Sequence, residues 1–515
     1  MDGFRRFLAI VGADFRERSR QTRFWFVLAA MGVGSWWFFP PMDAGYVTVA
    51  IGEARGAYSS AWIGMVLGMM FGTIIALFGF YIVRGTLTRD FETRVWQLLV
   101  ATPMTRPGYL LAKWSSHMLV LSMMAVMALA VGVAAQWHHG EVAAFAPWEL
   151  VKPMLVFTLP AMAVTAFFAI LFDLLPWLRR SGGNVLYFVV WIFVFISLNE
   201  RLDPESSAWA AQTWLSDPGG MSMAMRDIRA QLAATAPALD TQGFSIGVNI
   251  RDGGVATFAW ESWTPSLRDL AGRGLWLVAS LLGLVALAPL LDWAAARSEA
   301  RQPGQRSTPG FRLRWLDGLL QPFEVFPAGR LFAAEAKLVL RQRRLTWWLA
   351  LGVLLVVQSL APEKGQAIAA IGAWLVCLDI FARAALREHE TGTSALVFSA
   401  SGAAHRILAV RLAVSAALAI LVVLPALLRA TGDGGMALVM AALTVAVSGL
   451  ALATALRSPR PFELAMVFIA YIGLQGDPIL NAFADPALTL ARHAWLLPTS
   501  LALLLVAWPL AVRRA

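Results

Sequence analysis

The chain has 515 residues, of which 58% are hydrophobic and only 14% are charged. Soluble globular domains carry about 25% charged residues, so this composition excludes an ordinary soluble protein. The single cysteine, Cys377, excludes a disulfide framework and a cysteine-based metal site within the chain. The formal net charge of +10 is therefore interpreted by its position relative to membrane spans, and no nucleic-acid partner is expected.

The N-terminal segment predicts an amphipathic helix that leads into the first span. Its apolar residues recur near helical spacing on one face. These residues are Phe4, Phe7, Leu8, Val11 and Phe15. Such a helix lies in the membrane interface with its arginines among the headgroups, so membrane lipid is an expected partner.

Apolar stretches long enough to cross a bilayer recur from one end of the chain to the other. A span needs about 20 apolar residues to cross roughly 30 Å of hydrocarbon. We predict an all-α integral membrane protein with about twelve spans in two groups of six. Their centres are Ala30, Gly72, Ala125, Ala163, Ile192, Leu281, Leu354, Leu375, Ala419, Val445, Ile469 and Leu503.

The placement of arginine and lysine predicts the orientation. Connections after even-numbered spans, such as 84–113 and 387–411, carry most of the positive charge, whereas turns such as 362–366 carry little. Because positively charged loops stay in the cytoplasm, we expect both termini there, in a bacterial-type inner membrane. The segment 200–268 is then the only sizeable extracytoplasmic piece, interpreted as a small lid.

The two groups of spans form a weak internal repeat. Residues 295–329, basic and broken by proline and glycine, predict a cytoplasmic linker between a first half, 1–294, and a second half, 330–515. The lead-in RQTRFWFVL resembles RRLTWWLAL in the second half. The stretch DFETRVWQLLVATPMTRPGYLLAK from Asp90 aligns without a gap with EHETGTSALVFSASGAAHRILAVR from Glu388.

The stretch from Asp90 to Pro107 predicts a polar elbow between two spans. Charged side chains lie on both sides of an apolar leucine pair, and two prolines limit the length of any helix here. A short amphipathic helix at the cytoplasmic surface fits this pattern. A solvated surface helix without a partner would show it too, but the second copy from Glu388 favours two equivalent docking points.

The elbows resemble the coupling helices of permease subunits of type-2 ABC (ATP-binding cassette) exporters. The shared pattern is a Glu, a Thr or Gly, an apolar pair, a Thr-Pro and a Lys that begins the next span. In the first elbow it is carried by Glu92, Thr93, Leu98, Leu99, Thr102, Pro103 and Lys113. The second elbow keeps Glu390, Thr391, Gly392, Leu396, Val397 and Arg411. The chain departs from the pattern with Arg94 where Gly is usual and with Ala400-Ser401 in place of Thr-Pro.

The resemblance implies that each elbow is seated in a groove of a separate cytosolic ATPase subunit. One chain would supply both halves of the translocation path and bind two ATPase copies for export of an unknown substrate. The implied ATPase-coupling residues are Asp90, Glu92, Thr93, Leu98, Leu99, Glu388, Glu390, Thr391, Leu396 and Val397.

The chain itself is expected to be a permease without catalytic residues, cofactor or metal of its own. None of its four lysines lies in the G-x-x-x-x-G-K-[ST] loop that cradles phosphates. If transport is driven by ATP, then ATP and Mg²⁺ bind to the partner ATPase.

Two rival functions remain open. The first is a secondary carrier driven by an ion gradient, for which Asp379 is a candidate because a carboxylate inside a span is usually functional. The alternative for Asp379 is a pair with Arg383, four residues later. The second rival is a non-transporting scaffold, or a membrane enzyme that uses segment 200–268.

Two further motifs lie in the predicted extracytoplasmic parts. The sequence HHGE, from His138 to Glu141, carries metal-ligating side chains, although a solvated turn is the favoured interpretation because adjacent residues rarely supply a full ligand set. Trp260 and Trp263 are interpreted as anchors at the membrane surface, with a cap over the exit of the path as the alternative.

Overall fold

The computed structural model describes most of the chain, in two compact units. Unit 1 is Met1–Gln302 and unit 2 is Pro303–Ala515, so the division falls within the predicted linker 295–329. The described residues are 2–41, 46–52, 54–93, 95, 104–179, 181–200, 215, 218–235, 244–249, 256–299, 314–341, 343, 345–474 and 477–513.

Unit 1 is mainly helical. Its α-helices are α1 Asp2–Ser19, α2 Thr22–Trp36, α3 Ser60–Ile74, α4 Phe80–Val83, α5 Thr86–Glu92, α6 Arg106–His139, α7 Pro147–Pro153, α8 Leu159–Leu174, α9 Ser181–Glu200, α10 Met221–Thr235 and α11 Leu267–Glu299. Two π-helical turns, Ile75–Gly79 and Met154–Thr158, join α3 to α4 and α7 to α8.

Unit 2 is helical throughout its described residues. Its α-helices are α12 Arg314–Leu320, α13 Pro327–Arg341, α14 Leu345–Leu360, α15 Glu363–Val376, α16 Leu378–Arg383, α17 Arg387–Thr391, α18 Ser394–Phe398, α19 Ala403–Leu421, α20 Leu424–Arg429, α21 Gly434–Leu456, α22 Arg460–Leu474 and α23 Pro486–Arg513. A 3₁₀ turn, Gln321–Val325, precedes α13.

Eight helical stretches among the described residues are long and apolar enough to cross a membrane, which indicates a multi-pass membrane protein. They are Ser60–Glu92, Arg106–His139, Pro147–Leu174, Leu267–Arg297, Glu363–Arg383, Ala403–Leu421, Gly434–Leu456 and Pro486–Val512. Three shorter apolar helices are Phe24–Trp36, Gly183–Val194 and Leu345–Leu360. All twelve predicted span centres lie in helices, with Ile469 in the 15-residue α22.

A small sheet in unit 1 is absent from the sequence-based expectation of an all-α chain. Its four strands are β1 Tyr46–Ile51, β2 Ala54–Gly56, β3 Phe244–Asn249 and β4 Ala256–Phe258. The strand order is β3-β1-β2-β4, with β1 antiparallel to β2 and β3 and with β2 parallel to β4. Part of the predicted lid therefore forms a sheet with the chain that follows α2.

Trp260 and Trp263 lie in the interior beside this sheet. Their exposed fractions are 1% and 3%, and the Trp260 ring packs edge-on against Trp62. The interpretation of these two residues as surface anchors is therefore wrong. Phe258, at the end of β4, packs against the same Trp62 ring, so the tryptophans join the sheet to α3.

An ion pair at the sheet joins it to the turn after α6. The Arg55 guanidinium donates to both carboxylate oxygens of Glu141, at 2.6 and 3.0 Å, and the Tyr58 amide donates to Glu141 at 2.9 Å. Burial alone would raise the pKa of Glu141, but these hydrogen bonds outweigh it and lower the pKa below its ordinary value. The turn lies at the surface, as its favoured interpretation requires, but the Glu141 carboxylate is held by Arg55 and Tyr58.

The connections of unit 1 gather at the two ends of α11. Near its C-terminal end, Asp292 lies 3.2 Å from Arg106, and near its N-terminal end, Asp269 lies 2.9 Å from Arg226. Connections predicted to be cytoplasmic therefore meet at one end of the unit, and those predicted to be extracytoplasmic meet at the other.

Glycines let α3 approach its neighbours closely. A Cβ added at Gly64 would lie 2.5 Å from the Leu150 carbonyl oxygen, and one added at Gly68 would lie 2.8 Å from the Pro153 carbonyl oxygen. Small residues one helical turn apart are the usual means of close helix packing in membranes. The backbone of α7 occupies the space that side chains would need.

We expect Gly64→Ala to destabilise unit 1 by about 1–3 kcal/mol, because the α7 backbone must move away. Gly34→Ala in α2 is the matched control, since nothing lies within 4 Å of its added Cβ. Thermal unfolding in detergent, followed by tryptophan fluorescence, measures both. Equal melting temperatures for the two variants would contradict the close contact.

The Arg55–Glu141 pair makes stability depend on pH. Because the pKa of folded Glu141 lies below the ordinary value of 4.5, its contribution is present above pH 4.5 and is lost as pH falls through the folded pKa. Glu141→Gln should cost about 1–3 kcal/mol at pH 7 and should flatten the fall of melting temperature between pH 6 and pH 3.5. An unchanged slope in the variant would rule out this role.

Candidate docking site

A break that follows α4 precedes the first elbow and starts α5, the helix that leads into it. Arg84 is extended, with ψ 154°, and Gly85 has φ +93°, a left-handed conformation that favours glycine. The Gly85 amide donates to the Asp173 carboxylate at 2.8 Å, and Arg84 Nε lies 3.6 Å from the same carboxylate. Asp173 thus fixes the point at which α5 starts.

Four charged side chains meet where the first elbow begins. They form the first charge cluster, which consists of Asp14, Arg89, Asp90 and Lys113. Lys113 Nζ lies 2.9 Å from Asp14 and 2.6 Å from Asp90, and Arg89 lies 3.9 Å from Asp14. Tyr109 donates its hydroxyl to Asp90 at 2.5 Å. The cluster therefore joins three helices: α1, α5 and α6.

The first charge cluster lies almost entirely out of water. The exposed fractions of Asp14, Asp90 and Lys113 are 6%, 5% and 2%. Removing one partner from a buried ion pair leaves an uncompensated charge, at a cost of about 3–5 kcal/mol. Arg89 is one-third exposed and also pairs with Glu17. Together with Lys113 it offsets the charges of Asp14 and Asp90. The two cations and two carboxylates of the cluster therefore hold the three helices in one arrangement.

A second charge cluster occupies the corresponding place in unit 2. It consists of Glu335 on α13, Arg387 and Glu388 on α17, and Arg411 on α19. Arg387 Nη1 lies 2.9 Å from Glu335, and Arg411 Nε lies 3.7 Å from it. Arg411, only 2% exposed, also pairs with Glu388. This cluster likewise joins a lead-in helix, an elbow helix and the helix that follows.

The two clusters have the same parts in the same order. Each takes a carboxylate from the lead-in helix, an adjacent Arg and acid from the elbow, and a cation from the next long helix. The elbow and long-helix members are separated by the same number of positions in both units. Their lead-in carboxylates, Asp14 and Glu335, fall outside that gapless alignment.

The predicted coupling residues divide into two groups in the described part of the chain. Asp90 and Glu388 belong to the charge clusters and join the elbow helices to the long helices that follow. Exposed towards solvent are Glu92, Thr93, Glu390, Thr391 and Leu396, the last with 77% of its side chain exposed. Val397 is half-buried, and Leu98 and Leu99 lie outside the described residues.

Sequence reasoning missed the partners that complete the clusters. Asp14 and Glu335 are acids within basic amphipathic helices, and this unusual position was the sequence feature that could have identified them. Arg89 and Arg387 directly precede the aligned acids and extend the aligned stretch by one residue in each unit. Only the tertiary structure places them beside the lead-in carboxylates.

The predicted pair of Asp379 with Arg383 does not form. Asp379 pairs with Arg343, at the start of the second lead-in into a span, and Arg383 lies 3.7 Å from Glu390. Both residues lie in α16, which begins after the break at Cys377, and each takes its partner from another part of the chain. Asp379 thus ties the lead-in to the helix that precedes the second elbow.

The HHGE motif is not arranged as a metal centre. Glu141 is engaged by Arg55, and a ring nitrogen of His139 lies 2.9 Å from the Phe39 carbonyl oxygen. Within the described ranges, no group of three or more His, Cys, Asp or Glu side chains is placed to hold a metal ion.

Comparison of the chain with protein-family models, with curated proteins and with solved structures finds no match. Function is therefore inferred from the geometry of the two charge clusters and from the residues that the elbows expose.

Lys113→Met should lower the stability of the protein by about 3–5 kcal/mol, because Asp14 and Asp90 remain buried without their cation. Arg106→Met, which breaks an exposed pair with Asp292, should cost less than about 1 kcal/mol. Adding Asp14→Asn and Asp90→Asn to Lys113→Met should recover much of the loss. Thermal unfolding in detergent compares the variants, and equal losses for Lys113→Met and Arg106→Met would disprove the buried cluster.

Proposed function

We propose that the chain is the permease of a transporter that exports its substrate with energy from separate cytosolic ATPase subunits. The single observation that carries this proposal is the repeated charge cluster. In each unit a set of four charges with a buried cation at its centre lies beside exposed elbow residues, and each set binds an elbow helix to a lead-in helix and to the following long helix.

The clusters give the elbows a mechanical role. An elbow that only filled a surface loop would not need a buried ionic connection to two other helices. With that connection, a displacement of the elbow by a partner moves the lead-in helix and the next span together, since separating the charges is costly. This is the property that a motor subunit requires of its attachment point.

The exposed residues are suited to a protein groove. Glu390 and Thr391 precede Leu396, so the second elbow offers both hydrogen-bonding groups and an apolar side chain. Burial of an exposed leucine contributes about 1.5–3 kcal/mol. Glu92 and Thr93 offer the same polar groups on the first elbow, which supports attachment of two ATPase copies.

The proposal includes twelve spans in two six-span halves, with both termini in the cytoplasm of a bacterial-type inner membrane. In unit 1, connections predicted to be cytoplasmic meet at one end, and those predicted to be extracytoplasmic meet at the other. This arrangement supports the proposed topology. ATP and Mg²⁺ bind to the ATPase, and the permease supplies the path and the attachment points. Membrane lipid and the exported substrate are its other partners.

A secondary carrier is the second candidate. Asp379 is the strongest candidate in the sequence for an ion-binding carboxylate of such a carrier. It is paired with Arg343 near the start of a span, which is a structural use of the carboxylate. Transport that survives ATP depletion and stops with an uncoupler would favour the carrier over the ATPase-driven permease.

Charge reversal tests the docking surfaces. Glu92→Lys combined with Glu390→Lys should reduce recovery of a co-expressed cassette ATPase by about tenfold, since lysines then face a groove that is complementary to acids. The control is Glu261→Lys with Glu363→Lys, two exposed acids in predicted extracytoplasmic connections. Co-purification in detergent, with melting temperature as the check on folding, measures the effect. Full ATPase recovery with the folded double variant would refute the docking assignment.

A further inference from the structure

Helix α10 and the glycines before it penetrate unit 1 from the end that carries the sheet. A Cβ added at Gly72 on α3 would lie 2.9 Å from the Gly219 carbonyl oxygen. Gly72 is twelve residues from Ser60, or about 18 Å along the helix. Since Ser59 at that end hydrogen-bonds Trp260 beside the sheet, Gly219 lies deep within a helical bundle whose apolar thickness is roughly 30 Å.

The entering segment fits its seat closely. Gly220 has φ +69°, and a Cβ at this position would lie 2.2 Å from the Phe157 ring, so glycine is required both by conformation and by space. The apolar face of α10 is buried to 3% exposure or less. It consists of Met221, Met223, Met225, Ile228 and Leu232.

The buried face of α10 is rich in methionine, which is unbranched and adapts to more than one packing arrangement. The first five residues of α10 include three methionines, while its charged residues follow from Arg226 onwards. A surface that must separate and close again benefits from side chains of this kind, because repacking them costs little.

Charge-assisted contacts join the second turn of α10 to α11 and to Trp263. Arg226 donates to both carboxylate oxygens of Asp269 on α11, at 2.9 and 3.1 Å, and Trp263 Nε1 donates to Asp227 at 2.9 Å. These four residues form the outer latch. Arg226 is about one-quarter exposed, with 28% of its side chain accessible, so water reaches the latch without entering the bundle.

We propose that α10 is a movable plug that closes the sheet-bearing end of unit 1 and is held in its seat by the outer latch. Release of Arg226 from Asp269 lets the methionine face leave the space between α3 and the Met154–Thr158 turn. The inference rests on the proposed transport function for its purpose, but its test requires neither substrate nor ATPase. The two can therefore fail separately.

The test measures the rate at which a charged, water-soluble methanethiosulfonate modifies a cysteine on the buried face of α10. Met223→Cys is introduced with Cys377→Ala, which removes the only native thiol, a buried one in unit 2. In purified protein in detergent, modification should be slow. Adding Arg226→Gln should accelerate it about tenfold or more, because the charge-assisted bonds that hold the plug are lost.

Two matched controls separate plug movement from general loosening. Met65→Cys, on α3 and fully buried, should remain slow in every background. Arg106→Gln, which breaks the pair with Asp292 at the opposite end of α11, should leave Met223→Cys slow. Should Arg226→Gln not fold, Trp263→Phe removes one latch bond and should give a smaller increase in the same direction.

Two outcomes would overturn the plug. An unchanged rate at Met223→Cys in the folded latch variants would make α10 a fixed part of the bundle. A parallel increase at Met65→Cys would mean that the latch stabilises all of unit 1. Acceleration confined to Met223→Cys supports the plug whether or not an ATPase binds the elbows.

Discussion

The neutralisation of buried charge is the constraint on which the elbow-bearing ends of both units depend. Lys113 is removed from water only because Asp14 and Asp90 accompany it, and Arg411 only because Glu335 and Glu388 do. Charges held in this way do not part without a cost of several kcal/mol. They therefore tie each elbow helix to the lead-in helix before it and to the long helix that follows.

The sheet-bearing end of unit 1 is held by close packing and by partly exposed ion pairs. Glycines let α7 pack closely against α3, and the Arg55–Glu141 pair joins the sheet to the turn after α6. The Arg226–Asp269 pair, with 28% of the Arg226 side chain exposed, joins α10 to α11. Because water screens such pairs, they are weaker than the nearly dry pairs of Lys113 in the first charge cluster.

Much of the helical architecture could be predicted because a bilayer requires long apolar helices, which leave a clear signal in the sequence. Every predicted span centre lies in a helix, although α2, α14 and α22, with 15 or 16 residues each, are shorter than a full span. The sheet was missed because β1 is a short apolar run close to a predicted span. Its partner β3 lies almost two hundred positions away, beyond the reach of local pattern.

The sequence by itself determined the helical, apolar class, the alternating charge of the connections and the two aligned elbows, since each depends on composition or local spacing. The tertiary structure decided which acid neutralises which cation, as in Asp379 with Arg343 instead of Arg383. It also decided that Trp260 lies in the interior and that Gly219 reaches Gly72. These outcomes depend on distances between residues far apart in the chain, and such distances exist only once the helices have packed.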